Sequence, residues 1–175
     1  NTSGIIIAGK TIKGLQKMNE LIKKREVRKF YITIALGEIK GGLYTAWLKK
    51  DSKKNKVSIY DNEVEGSVEI KTFINPLGII KKDGYTLSFL EIELITGRPH
   101  QIRAHLSHIG NPVLGDCKYA NKESTAVSEK LAVKRQMLHA CRLEFPKLKD
   151  EFAGLSQKQV EAAIPADMNS ILKFR

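Results

Sequence analysis

The chain has 175 residues, room for one domain with a substantial core, and a formal charge of +11 from 30 Lys and Arg against 19 Asp and Glu. Such an excess favours a polyanionic partner, because each phosphate neutralised releases counterions, and nucleic acid stands ahead of an anionic membrane. The apolar runs are too short to span a bilayer, no signal-peptide or lipidation pattern is legible, and Cys117 and Cys141 fit neither a disulfide framework nor a zinc pattern, which suits a reducing cytoplasm.

In chain order, residues 1–4 open into Ile5-Ile6-Ile7-Ala8, which reads as a buried strand with no initiator Met before it, so the chain is expected to be a fragment. Residues 11–24 predict a helix with Ile12, Leu15, Met18, Leu21 and Ile22 on one stripe and Lys10, Lys13, Lys17, Lys23 and Lys24 off it. Residues 28–37, RKFYITIALG, alternate as a strand: Phe30, Ile32, Ile34 and Leu36 point one way, Tyr31, Thr33 and Ala35 the other. Tyr31 thus leaves the side with the largest apolar residues, where an ordinary strand tyrosine half buried against a neighbour is the plain reading. Strands are expected at 42–48, 57–60 and 67–74, and the five lysines within 49–56 read as a solvated turn adding diffuse phosphate attraction. Lys82-Asp83-Gly84 is a hairpin turn into a strand over 85–95. Along it Leu87 and Phe89 alternate and Leu90, Ile92 and Leu94 take the opposite phase, so either both faces are buried or a bulge shifts the register.

Beyond residue 120 the pattern gives a polar loop over 121–136 with a helix near 127–133, then a strand over 137–145 stopped by Pro146. A turn region at 147–154, an edge strand at 159–164 and a terminal helix at 167–174 complete the chain. Many strands with few helices predict an α+β fold around a mixed, mostly antiparallel sheet, a single domain over 1–175.

Chemistry concentrates in residues 94–119, LITGRPHQIRAHLSHIGNPVLGDCKY, where Arg98, His100, Gln101, Arg103, His105 and His108 lie close together. Pro99 suits the first helical position and Gly110 a left-handed stop. Ile102, Leu106 and Ile109 form a core stripe, and His100, Arg103 and Ser107 share another face. His105, His108 and Cys117 offer a metal set only in principle: the spacing is neither HExxH nor CxxC, and the helix holds no carboxylate. Asp116 is expected to make turn hydrogen bonds.

The run TGRPHQIRAHLSHIGNPVLGDCKY resembles the third signature block of the RluA family of RNA pseudouridine synthases. Thr2-Ser3-Gly4 and the apolar stretch after it resemble the tail of that family's catalytic motif, HRLD-x-x-T-S-G. Lys29-Phe30-Tyr31-Ile32 resembles its second block, and Leu138-His139-Ala140 with the strand through Phe145 its late core strand. The blocks come in family order from the first residue to about Pro165. The motif's aspartate falls before Asn1, so the chain is expected to be an N-terminally truncated catalytic domain, inactive by itself.

The resemblance implies the pseudouridine synthase fold and isomerisation of uridine to pseudouridine in RNA, with large-subunit ribosomal RNA first and transfer RNA second. It implies no metal, nucleotide or redox cofactor. By the same token Arg103 pairs with the absent aspartate, Tyr31 stacks on the base and moves a proton from C5, and Leu138 lines the uracil pocket. Arg98, His100 and Gln101 are expected to touch phosphate or hold the loop; Lys10, Lys23, Lys24 and Lys29 attract the RNA backbone. The alternative is a non-catalytic basic RNA-binding module that reuses the fold, with a metal-dependent hydrolase third.

Overall fold

Alternation in the sequence sets the sheet. In the computed structural model, which describes residues 1–51, 53 and 55–173, β2 (Arg28–Leu36) lies between β6 (Tyr85–Leu94) and β7 (Leu138–Glu144), antiparallel to both. From β6 the sheet continues through β5 (Val68–Lys82) and β3 (Gly42–Asp51) to β4 (Lys56–Tyr60). The outer edge of β7 is shared by β1 (Ser3–Gly4), the parallel member, and β8 (Gln159–Glu161). The fold is α+β around a mixed, mostly antiparallel sheet, as expected.

Both faces of the central strands are covered, which explains the two phases of β6. Ile32, Ile34 and Leu36 oppose Glu91, Phe89 and Leu87 on one face, where Val127 of α3 (Lys122–Lys130) and Met168 and Ile171 of α4 (Ala166–Leu172) close the core. Truncating fully buried Ile34 to Ala there costs about 2–5 kcal/mol. Tyr31, Thr33 and Ala35 oppose Ile92, Leu90 and Ser88 on the other face, under α2 (Gln101–His108). The β2–β6 register is unbroken; the register shifts among the described residues lie between Pro76 and Gly78, where β5 pairs with β6, and between Phe30 and Tyr31, where β2 pairs with β7.

Several segments differ from expectation. β5 runs on past residue 74 to Lys82 in spite of Pro76, because pairing with β3 ends at Ile74 and Pro76 removes no donor from that side. It turns through Asp83 (φ 51°) and Gly84 (φ 84°), the left-handed pair of a tight two-residue hairpin. Residues 5–8 are not a strand: after Ile5 N–H reaches the Ala140 carbonyl, β8 takes the rest of the β7 edge, and Ile6 is 89% exposed. α1 (Ile12–Lys23), capped by Thr11, buries only Met18 and Leu21 of the predicted stripe, because it leans on Val27 and Leu143 at the sheet edge; Ile12, Leu15 and Ile22 stay exposed.

Lys49, Lys50 and Lys56 belong to β3 and β4, so the lysine turn is shorter than 49–56; Ser52 and Lys54 lie outside the described residues. α3 begins five residues early for a helix near 127–133, because Asn121 and Ser124 form a reciprocal capping box. The edge strand of 159–164 contracts to β8, and the 147–154 turn holds a 3-10 helix, Asp150–Leu155. α4 ends at Leu172, with Phe174 outside the described residues. Among the described residues no helix is long and apolar enough to cross a membrane.

Candidate active site

The loop from β6 into α2 is built around one amide. Gln101 Oε1 accepts from Thr96 Oγ1 (2.9 Å) and Arg98 N–H (3.2 Å), and its Nε2 donates to the Lys71 carbonyl and Thr72 Oγ1, each at 3.1 Å. With 2% exposure and both ends of the amide occupied, Gln101 holds the loop and offers nothing to a phosphate. This clamp turns the chain at His100 (φ 54°), so α2 starts at Gln101 and Pro99 stays in the turn before it, not at the first helical position. Gly110 (φ 86°) ends the helix region in the left-handed conformation expected of it.

The two faces of α2 do separate jobs. Ile102 and Leu106 are buried over β2, β5 and β6, in the cluster that holds Leu138 and is bordered by Tyr31. His100, Arg103 and Ser107 turn instead to Tyr119. Its hydroxyl, which accepts from Val57 N–H (3.1 Å), lies 2.9 Å from His100 Nδ1, and its carbonyl accepts from Ser107 Oγ at 2.6 Å. The Arg103 guanidinium stands 5.2 Å from the Tyr119 ring centre, a cation–π distance.

Arg103 is also locked by charge. Its Nε and Nη2 donate to Asp116 Oδ2 and Oδ1 at 2.6 and 2.8 Å, a bidentate pair whose side chains are 12% and 0% exposed. Asp116 Oδ1 accepts from the Lys118 and Tyr119 amides as well (2.8 and 3.0 Å), so the expected turn bonds are present and the carboxylate does more than turn the chain. Burial pushes the Asp116 carboxyl up, but the Arg103 hydrogen bond, the two amides and the Arg103 charge outweigh it and hold it below the usual range. The partner Arg103 has within this chain is therefore Asp116. What makes the turn so tight is Gly115 (φ 76°), where any Cβ would collide with the Arg135 backbone and Val133.

Tyr31 and Leu138 come together across neighbouring strands: Tyr31 pairs with Ala140 and Thr33 with Leu138, on the face that α2 covers. Burial, then the nearby Cys141, raises the Tyr31 phenol above its ordinary value, so it keeps its proton at neutral pH. The Thr-Ser-Gly segment enters beside this pair. Gln136 Nε2 donates to Thr2 Oγ1 (2.7 Å), Ser3 Oγ lies 2.9 Å from His139 Nδ1, and Gly4 (φ 110°) runs against the Ala140 backbone with no room for a side chain.

Of the predicted backbone lysines, Lys29 reaches this side of the molecule. Its Nζ is 3.8 Å from where a Cβ on Gly97 would lie, and burial followed by the Arg25 charge lowers its pKa. Lys10, Lys23 and Lys24 belong to α1 and its flanks, and Lys24 is already paired with Glu20 at 2.6 Å. Arg98 is exposed in the loop. Residue patterning missed Asp116 as the Arg103 partner, Tyr119, and two cations beside it: Lys56 Nζ is 5.5 Å from the Tyr119 ring, and Lys118 Nζ donates to the Asn55 carbonyl. The D-x-x-Y spacing after GNPVLG was the available signal. His105, His108 and Cys117 do not converge: His105 Nδ1 is 3.0 Å from Thr72 Oγ1, His108 Nε2 is 2.8 Å from Asp61, and Cys117 is exposed.

A family model described as RNA pseudouridylate synthase matches residues 1–108, more than half of the chain, taking in Tyr31 and Arg103. The chain belongs to this family. An uncharacterized RNA pseudouridine synthase of Mycoplasma genitalium is 39% identical over 85% of the chain and 45% of its own length. Another from Helicobacter pylori is 30% identical over 98% and 57%. Ribosomal large subunit pseudouridine synthase D of Buchnera aphidicola is 32% identical over 99% and 55%. The chain thus spans about half the length of these relatives. Two human structures share the pseudouridylate synthase fold: RNA pseudouridylate synthase domain containing 1 (TM-score 0.68, 24% identity, covering 89% of this chain and 61% of that one) and domain containing 4 (0.71, 19%, 93% and 67%).

Proposed function

We propose that this chain supplies the arginine and tyrosine side of an RNA uridine-to-pseudouridine isomerase working in a reducing cytoplasm. The observation that carries the reading is Arg103: a guanidinium fixed by a buried carboxylate, on a helix whose opposite face covers the cluster of Tyr31 and Leu138. Beside that cluster enters the segment that follows the HRLD block in the family motif.

In this reading the target uridine is flipped out of its helix, since the reacting atoms are unreachable while it is stacked. The HRLD aspartate acts on the ribose as nucleophile or base, and Arg103 keeps that carboxylate ionised and oriented. The bond from C1′ to N1 breaks, the uracil turns, and C1′ joins C5; C5 loses its hydrogen and N1 gains one, so no atom is lost overall. The Tyr31 ring stacks on the uracil and Leu138 walls its pocket; escape of the base would turn the isomerase into a glycosylase. The +11 charge supports an RNA substrate. Large-subunit ribosomal RNA comes first, because a relative named for that subunit matches almost the whole chain, and transfer RNA second.

The sequence itself contains no HRLD. The test compares this chain with the same chain joined at Asn1 to the HRLD-bearing segment of a relative, measuring tritium release from C5-labelled uridine in ribosomal RNA. Release only from the joined form is expected. RNA binding by both with release from neither would favour the non-catalytic binding module.

A further inference from the structure

Resting on the reading above, we infer that Asp116 is a positioning residue for the isomerase: it grips one edge of the Arg103 guanidinium and thereby presents the other edge to the reacting aspartate. Asp116 takes Nε and Nη2 of Arg103, while Nη1 has no hydrogen-bond partner among the described residues. A guanidinium is a planar fork, so fixing two of its nitrogens fixes the direction of the third. The Tyr119 ring braces the same group from 5.2 Å, and Tyr119 is itself tied to α2 through His100 and Ser107 and to β4 through Val57.

Asp116 is not a spare nucleophile. Its side chain is 0% exposed and accepts four hydrogen bonds, from Arg103 twice and from the Lys118 and Tyr119 amides. Buried in this way, it acts on the substrate through Arg103.

One guanidinium shared by two carboxylates has a consequence for pH. The charge on Asp116 opposes ionisation of the second carboxylate, so removing it lowers the pH at which the reacting aspartate loses its proton. The other titratable or charged groups facing this centre are Arg103 from α2, His100 from the turn before it, Cys117, Lys118 and Tyr119 from the turn after Gly115, and Lys56 from β4. The Asp116→Asn substitution leaves these side chains in place and keeps the size of the side chain and an acceptor for the two amides, while it removes a charge that also acts on Arg103, His100 and Tyr119.

In the HRLD-joined chain Asp116→Asn is expected to lower kcat by about 10- to 100-fold, the effect of a misplaced catalytic group, with KM changed less than about threefold. The acid limb of the kcat/KM profile moves to lower pH, which a purely structural role would not do. Asp116→Glu keeps the charge but displaces it, so it loses kcat with the acid limb in place; it carries the test should the Asn variant not fold. Arg103→Met is the control. Loss of turnover in that control combined with normal kcat and an unmoved acid limb in folded Asp116→Asn, or with normal kcat in Asp116→Glu, overturns the role of Asp116 alone. Near-normal turnover in the control overturns the isomerase reading beneath it.

Discussion

Tyr31 has two assignable parts, a ring and a hydroxyl, and they separate by substitution. Tyr31→Phe keeps the stacking surface and removes the proton-transfer group. In the HRLD-joined chain, affinity for RNA should stay within about twofold while tritium release falls by about 100-fold, as for loss of a general acid or base. Unchanged release would reduce Tyr31 to a stacking platform. Its placement was legible, since alternation in RKFYITIALG puts it on the face away from Phe30 and Ile32, and the structure seats that face under α2. Gln101 was less legible: its position on α2 was plain, but its amide points inward because Lys71 and Thr72 of β5 arrive beside it, a tertiary fact no local pattern carries. The Arg103–Asp116 pair was hidden for a similar reason, for only the fold of GNPVLGD brings the carboxylate back over α2.

The elements that were easiest to read are those whose pattern is enforced from both sides. β2 and β6 are flanked and covered, so burial follows sequence closely; α1 and residues 5–8 sit at the sheet edge, where apolar residues such as Ile6 and Ile12 remain exposed. Continuation of β5 through Pro76 depends on where β3 stops, which a strand's own sequence does not reveal. Two element-scale outcomes follow from caps and close approaches. Asn121→Ala removes the α3 cap and should cost about 1 kcal/mol of stability in urea unfolding. Gly4→Ala places a methyl group against the Ala140 backbone, so β1 should detach and the Ile5 amide, bonded to the Ala140 carbonyl, should lose hydrogen-exchange protection. Wild-type protection there would show that β1 tolerates a side chain.

Stability of the whole molecule should depend on pH through His105. Burial and then the neighbouring His108 push its pKa from the ordinary 6.5 down to about 4, so the folded state holds it neutral. The contribution is full above pH 6.5 and is lost as pH falls towards about 4, because the unfolded chain binds a proton that the folded one refuses; the loss is on the order of 3 kcal/mol. Urea unfolding at stepped pH should show that decline, and His105→Gln should flatten it. An equal decline in the variant would assign the effect to other groups. Asp116 adds a second loss at lower pH, since its depressed pKa stabilises the fold above the usual Asp value and ceases to do so as pH falls through the folded one.

Fold class and the order of strands along the chain were readable from alternation and turns; their order across the sheet, with β2 between β6 and β7, was not, because it is set by which faces must be covered. Arg103 carries the isomerase reading, and turnover of Arg103→Met in the HRLD-joined chain, followed by tritium release with RNA affinity measured alongside, tests it most directly. The predicted result is loss of turnover with affinity within about twofold of the unsubstituted protein, because one phosphate-scale contact at most is removed. Near-normal turnover would contradict it.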